Sequence, residues 1–379
     1  MLKNRLLLAG IILVLVFSLI SGCNESKTIK IGTIQPISGQ VSAYGIQTRD
    51  AIAMAIEEIN ANGGVLGKKL ELIVEDDEAS PEKTTNAFKK LTAKDKVVAI
   101  IGALTSKCTL AITKKAQAKK VVLITSSSTN DTVTDAGEFI FRACYNDSFQ
   151  GQVNAKFAYE TLKARRAAIL YDITNDYSKG LMSNFKAKFE ELGGQIVAIE
   201  SYSTGDKDFN AQLTKIKASQ PEVLFIPDYY STISLIAKQV RGQGMTIPMM
   251  GGDGWDEITN NAGDEVIGCY YSNHYSPDSD DEDVKAFVTK FREKYNITPN
   301  ALAALGYDAA YILADAIEKA GSLDPVKIQQ AMMETDKKMV TGYIRFNEKR
   351  NPVKSAVMLK VVKGADGKLT TEYAGTVNP

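Results

Sequence analysis

From residue 28 onward, short apolar strands alternate with amphipathic helices, and the series runs twice along the chain. The first run reads KIGTI, KLELIVE, VVAIIGA, VVLITS and FIFRA. The second, after Arg165, reads AAILYDIT, QIVAIESYS, EVLFIPDYY, IPMMGGD and VIGCYYSNHY. Strands that alternate with helices pair in parallel, and each crossover lays a helix over one face of the sheet. The expected fold class is therefore α/β, two doubly wound parallel-sheet lobes, and 379 residues suffice for about two such cores. In the first helix Ile52, Ala55, Ile56 and Ile59 form one apolar stripe. Asn62-Gly63-Gly64 ends it, since glycine takes a left-handed cap without a Cβ clash. Helical spacing is also predicted over 177–192, 283–295, 301–320 and 325–334, and strands over 342–373, as YIRFN and AVMLKVVK.

Residues 1–22 read as an address rather than as fold. Lys3 and Arg5 precede an almost wholly apolar run over 6–20, shorter than the ~18–20 residues a spanning helix needs. Ile20-Ser21-Gly22-Cys23 follows and resembles the bacterial lipobox. That resemblance implies lipidation of Cys23 and a polar tether over 23–27, with the rest of the chain held outside the cytoplasm at a membrane. Three further thiols, Cys108, Cys144 and Cys269, cannot all pair, and no CxxC spacing exists. Buried free thiols are expected, with one bridge such as Cys108–Cys144 left open. With 45 basic against 45 acidic residues, the chain carries no electrostatic footprint for nucleic acid, and a monomer is expected.

Enzyme chemistry lacks its usual parts. His274 is the sole histidine and sits at a strand end ahead of a proline turn, where a surface or crossover role is expected. One imidazole leaves no His-based metal cluster, and any nucleophile–base pair would depend on that residue alone. Ser80-Pro81-Glu82-Lys83 and Ser183-Asn184-Phe185-Lys186 have S-x-x-K spacing without its partner motifs, and 62–68 is only faintly like a phosphate loop. No cofactor, metal set or catalytic residue is expected. The chain reads as a binder.

In doubly wound sheets, ligands bind beyond the carboxyl ends of the strands, near helix N-termini. Those positions here are Ser38-Gly39, Thr105-Ser106, 125–129, 172–177, 228–230 and 251–255. They hold hydroxyls in the first half, acids and aromatic rings in the second. Hydroxyls facing acids and rings suit a zwitterion with an apolar side chain.

The ordered set PISG, YG, EEINANGG, VEDDEASP, IGALTS, ITSSSTN, GGDGWD and ALGYDAAYILADAI resembles the type I periplasmic binding proteins. More narrowly, it is similar to the branched-chain amino-acid binding components of ABC transporters. The resemblance implies two lobes joined by three crossovers, one of residues 28–146 with 277–345 and the other of 147–276 with 346–379, closing over ligand by hinge bending. It implies capture of an aliphatic amino acid and delivery to membrane permease subunits, without turnover. A sensor of the same fold, for another small amino acid, an amide or an aromatic acid, is the alternative.

By the same resemblance, Ser106 binds the ligand carboxylate with its hydroxyl and amide at a helix N-terminus. Ser127 offers backbone atoms, and Thr129 its N–H and hydroxyl. Asp253 pairs with the α-ammonium, Tyr44, Tyr177 and Tyr229 line the pocket, and Trp255 walls its side-chain end. Arg142, Asp172 and Tyr307 are expected to serve the hinge or packing. The chain departs from the family in three places. Asp253 is one methylene shorter than the usual glutamate, Ser127 replaces an alanine, and Ala79 and Thr105 stand where a disulfide often lies.

Overall fold

A computed structural model of the chain describes residues 28–378; the expected leader and Cys23 lie outside them. The first half comprises β1 (Thr28–Gln35), α1 (Ser42–Ala61), β2 (Lys69–Asp76), α2 (Pro81–Lys90), β3 (Ala99–Ile101), α3 (Ser106–Lys119), β4 (Val122–Thr125) and β5 (Ile140–Arg142). The pattern then repeats. The second half begins with α4 (Asp147–Lys156), β6 (Arg166–Asp172), α5 (Asp176–Glu191), β7 (Gln195–Tyr202) and α6 (Asn210–Ala218). It continues through β8 (Val223–Phe225), α7 (Tyr230–Gly242), β9 (Met249–Gly251), α8 (Ile258–Asn261) and β10 (Tyr270–Asn273). Three helices follow, α9 (Glu282–Tyr295), α10 (Ala301–Ala320) and α11 (Pro325–Met333). The chain ends on two antiparallel pairs, β11 (Asp336–Met339) with β12 (Gly342–Arg345), and β13 (Ala356–Lys363) with β14 (Leu369–Val377).

The first sheet runs β2-β1-β3-β4-β5, parallel throughout. The second runs β14-β13-β10-β9-β8-β6-β7, parallel except where β13 joins β10 and β14. Its β7-β6-β8-β9-β10 part repeats the order of the first sheet. Each order reverses once, between β1 and β3 and between β6 and β8, and such switch points are where open α/β sheets hold ligands. The expected α/β class and both strand series are present. β12 falls on the expected YIRFN strand, and β11 is an addition: Asp336, Lys337 and Lys338 are exposed, so no burial alternation marked them as strand.

Close backbone approaches position α1. A Cβ on Gly45 would lie 2.2 Å from the Pro36 carbonyl oxygen, so the first turn of α1 rests directly on the β1–α1 turn. One on Gly306 would lie 2.8 Å from Thr48 Cγ2, and the small residues of α10 let it pack tightly on α1. A clasp then joins the two halves beyond β9. Glu257 Oε1 accepts from Gln47 Nε2 at 2.6 Å and from Asn300 Nδ2 at 2.9 Å. Asp256 Oδ2 accepts from the Ala301 amide, the first of α10, at 2.7 Å. Acid at a helix N-terminus meets both the free N–H groups and the helix dipole, which gives the clasp its direction.

Candidate functional site

The two switch points face each other, and a small cavity lies between them. Tyr44, Leu104, Thr105, Ser106, Ser127, Tyr177, Tyr229, Asp253, Gly254 and Leu302 line it. Six of the eight residues singled out from the sequence therefore meet in one place. Side chains nearly fill it, leaving about 20 Å³, room for about one water. A much larger hollow, about 850 Å³, opens instead beyond the end of β10, around His274 and Lys354. Volume does not decide between them: the small cavity holds the Asp253 carboxylate and a helix N-terminus, so the chemistry sits there.

On one wall, Thr105 precedes α3 in an extended conformation and Ser106 begins the helix. Ser106 Oγ accepts from the Asn130 amide at 3.2 Å, and Ser127 Oγ donates to the Leu104 carbonyl at 3.0 Å. Arg142, fully buried, ties the loop behind them by donating to the carbonyls of Ser128, Thr129 and Asn130 at 3.0, 2.7 and 2.8 Å. That is a packing role, as expected. Thr129 does not line the cavity; its carbonyl is taken by Arg142 and by the Asp147 amide at 2.8 Å.

On the facing wall, the turn after β9 presents Asp253. Its Oδ1 accepts from Tyr177 Oη at 2.9 Å and from Gln150 Nε2 at 3.1 Å, and its Oδ2 lies 3.0 Å from His274 Nε2. Three side chains hold a nearly buried carboxylate in a fixed orientation. Tyr177 also accepts from the Gly254 amide at 2.9 Å and stacks on Tyr229 at 5.2 Å, with 8° between the planes. Tyr44 stands edge-on to Tyr229 at 6.3 Å and donates to the Gly254 carbonyl at 2.6 Å. Burial holds all three phenols protonated by raising their pKa well above the usual value. Leu104 and Leu302 complete the wall with apolar surface.

Beyond Thr129, Trp255 differs from the sequence reading, and of the two roles expected for His274 the surface one fails. Trp255 does not wall this cavity. Its indole is fully buried, donates to the Ile226 carbonyl at 2.8 Å and packs on Gly251, where a Cβ would lie 1.9 Å from Nε1. Asp253 and Trp255 share one short helical turn, and their side chains leave it in different directions. His274 is not at the surface. It is 3% exposed, stacks on Tyr145 at 3.8 Å and bonds the Asp253 carboxylate. Burial pushes its pKa down, with the Asp253 hydrogen bond working against that.

Gln150 and Leu302 carried no signal in the sequence. His274 carried a faint one: β10 lies beside β9 with Tyr271 opposite Gly251, so the residues just past both strand ends are neighbours. The remaining cysteines are free and buried, with burial raising Cys108 and Cys144 to about 12 and Cys269 to about 11. Among the described residues no helix is long and apolar enough to cross a membrane.

With this geometry in view, the chain matches the periplasmic binding protein family (Peripla_BP_6) over residues 28–368. It belongs to the periplasmic binding protein family. A relative in Pseudomonas aeruginosa, the leucine-, isoleucine-, valine-, threonine- and alanine-binding protein, is 33% identical over 86% of this chain and 87% of its own. The structure resembles that of the leucine binding protein LivK of Thermotoga maritima (TM-score 0.88, 38% identity, 93% of this chain and 99% of that one). It also resembles an ABC-transporter solute binding protein of Rhodopseudomonas palustris in complex with 3,4-dihydroxybenzoic acid (TM-score 0.84, 25% identity, 93% and 98%). As a periplasmic binding protein, the chain is an extracytoplasmic solute binder and not an enzyme.

Proposed function

We propose that the protein is a lipid-anchored receptor that captures an aliphatic α-amino acid between its lobes and hands it to an ABC importer. The observation that carries this reading is the Asp253 carboxylate, oriented by Tyr177, Gln150 and His274 across from the N-terminus of α3. An α-ammonium would lie against Asp253, and an α-carboxylate against the amide and hydroxyl of Ser106, where free helix N–H groups favour negative charge. Thr129 lies just behind this wall and would act through its backbone. An aliphatic side chain would rest on Leu104, Leu302 and the tyrosine rings. An aromatic acid, the solute of one structural relative, would bring no cation to Asp253.

The lobes are bounded by crossovers near 146, 276 and 345. They must part for a solute to reach so narrow a site, and then close again. Anchorage through Cys23 would hold the protein beside its permease. Calorimetric titration with leucine, isoleucine, valine, alanine, threonine and benzoate tests the reading. Binding of an aliphatic amino acid is expected, and binding of benzoate with none of the amino acids would overturn it.

A further inference from the structure

Charge balances over the whole chain but not over its surface. The parallel strands of the first sheet all enter at one edge, and the cleft lies beyond the other. At the entry edge β1 begins with Thr28, flanked by β2 and β3, and Thr28 stands opposite Lys69, the first residue of β2. Ile31, Ala99 and Val122 lie in register across β1, β3 and β4. Lys96 and Lys119 precede Ala99 and Val122 by three residues, as Thr28 precedes Ile31. Strands lie about 4.8 Å apart, so these entry points sit within two strand widths, ~10 Å, of Thr28.

Lys69, Lys94, Lys96, Lys119 and Lys120 are all exposed, and none makes an ion pair among the described residues. Lys90, on the last turn of α2, is taken by Glu75 and stands 3.9 Å from Asp95. The acids just ahead of β3 and β5 are Asp95 and Glu138, and β5 is the far edge strand. Cations at helix ends ordinarily serve the helix dipole. The second sheet repeats the strand order and neutralises such cations in place. There Lys186, Lys188 and Lys215 pair with Glu190, Glu191 and Glu200 at 2.7, 2.6 and 3.0 Å, and the Arg165 guanidinium lies over the Tyr159 ring. The first sheet leaves its lysines open to an external anion.

We propose that this lysine-rimmed end of the first lobe is a docking surface for a membrane bearing anionic phospholipid headgroups. The position of Thr28 selects a membrane over a soluble polyanion, because the lysines surround the point where the tether joins the fold. Cys23, the residue proposed to carry lipid, precedes Thr28 by five residues, a reach of about 17 Å at full extension. The electrostatic field of a membrane decays over about 8–10 Å at physiological salt, so a tether this short keeps the lysines where that field is felt. A basic cluster beside a lipid anchor adds a second, salt-sensitive hold. α3 runs from Ser106 at the cleft to Lys119 at this end, a length of about 20 Å. Docked in this way, the first lobe turns its cleft wall away from the bilayer and toward bulk solution. This posture rests on the lipid-anchor reading; the docking surface itself does not.

Co-sedimentation with vesicles tests the surface, using the chain from residue 23 with Cys23→Ser, which keeps every described residue and carries no lipid. We expect vesicles of phosphatidylcholine mixed with phosphatidylglycerol to bind at least about tenfold more tightly than phosphatidylcholine alone. That preference should vanish near 1 M salt, where the field decays within about 3 Å. Combining Lys69→Glu, Lys96→Glu and Lys120→Glu should abolish it with the melting temperature unchanged. Combining Lys163→Glu, Lys207→Glu and Lys238→Glu makes the same charge change at exposed positions of the second half and should leave it intact. Equal binding to the two kinds of vesicle, or equal loss in the two triple variants, overturns the proposal. So does duplex DNA bound at the same lysines as tightly as the anionic vesicles. If Cys23 proves to carry no lipid, the posture falls while the vesicle titration still decides the surface.

Discussion

His274 Nε2 and Asp253 Oδ2 stand 3.0 Å apart, with the imidazole side chain wholly out of solvent. The only histidine in the chain is thus spent on orienting the acid that faces the cleft. Burial lowers its pKa in the folded protein, so the unfolded chain binds the proton more readily. Stability is then present above the ordinary histidine value and is lost as pH falls below about 6.5. His274→Gln keeps a donor near Asp253 and removes the titration. Melting temperatures between pH 5 and 7.5 should fall on acidification more steeply for the parent than for the variant, and parallel curves would sink the idea.

Asp253→Ala removes the charge that three donors converge on, leaving Tyr177, Gln150 and His274 without their acceptor. Loss of one member of a buried charge pair costs about 3–5 kcal/mol. Amino-acid binding should therefore weaken by about two orders of magnitude or more by calorimetry, with the circular dichroism spectrum retained. Undiminished leucine binding by the variant would remove Asp253 from the site.

In the proposed closing of the lobes, Asp256 makes closure itself pH-dependent. Burial, with Glu257 adding like charge, raises its carboxyl to about 7 in the clasp. In the parted lobes it would titrate near the ordinary value of about 3.8. Closing therefore takes up a proton between those values, and this group's contribution to affinity weakens as pH rises through the window. Titrations at pH 6 in buffers of different ionisation enthalpy should reveal proton uptake on binding, and Asp256→Asn should abolish it. Binding without uptake in the parent would count against the clasp as a closing contact.

Gly251→Ala would set a methyl 1.9 Å from the Trp255 indole nitrogen and 2.6 Å from the Ile226 carbonyl. Overpacking of this kind costs about 1–3 kcal/mol. The sole tryptophan should report it as a shifted emission spectrum together with a melting temperature lowered by several degrees. An unchanged spectrum and melting temperature would mean that the contact relaxes freely.

The strand series was legible because buried parallel strands demand apolar runs whatever their partners, as with the wholly buried β3 and β4. Ser106 and Asp253 were legible for another reason: both stand just past a strand end, where doubly wound sheets hold ligands, and both match site positions of the family that the sequence resembles. Trp255 was not, because a three-residue turn points neighbours in different directions and sequence spacing cannot tell core from cleft. Gln150 and Leu302 reach the site from α4 and the start of α10, elements whose approach depends on lobe packing. His274 needed the pairing of β9 with β10 before its neighbour could be named.

The Glu257 clasp joins protein to protein only, through Gln47 and Asn300, outside the lining of the cleft. In the proposed closing of the lobes, its contribution to holding them shut is consequently blind to which solute lies inside. Strength of retention and choice of cargo are thereby assigned to separate residues. A lineage could drift at residues 47, 257 and 300 to match a scarce or abundant supply, rescaling every affinity by one common factor, without relearning what to carry.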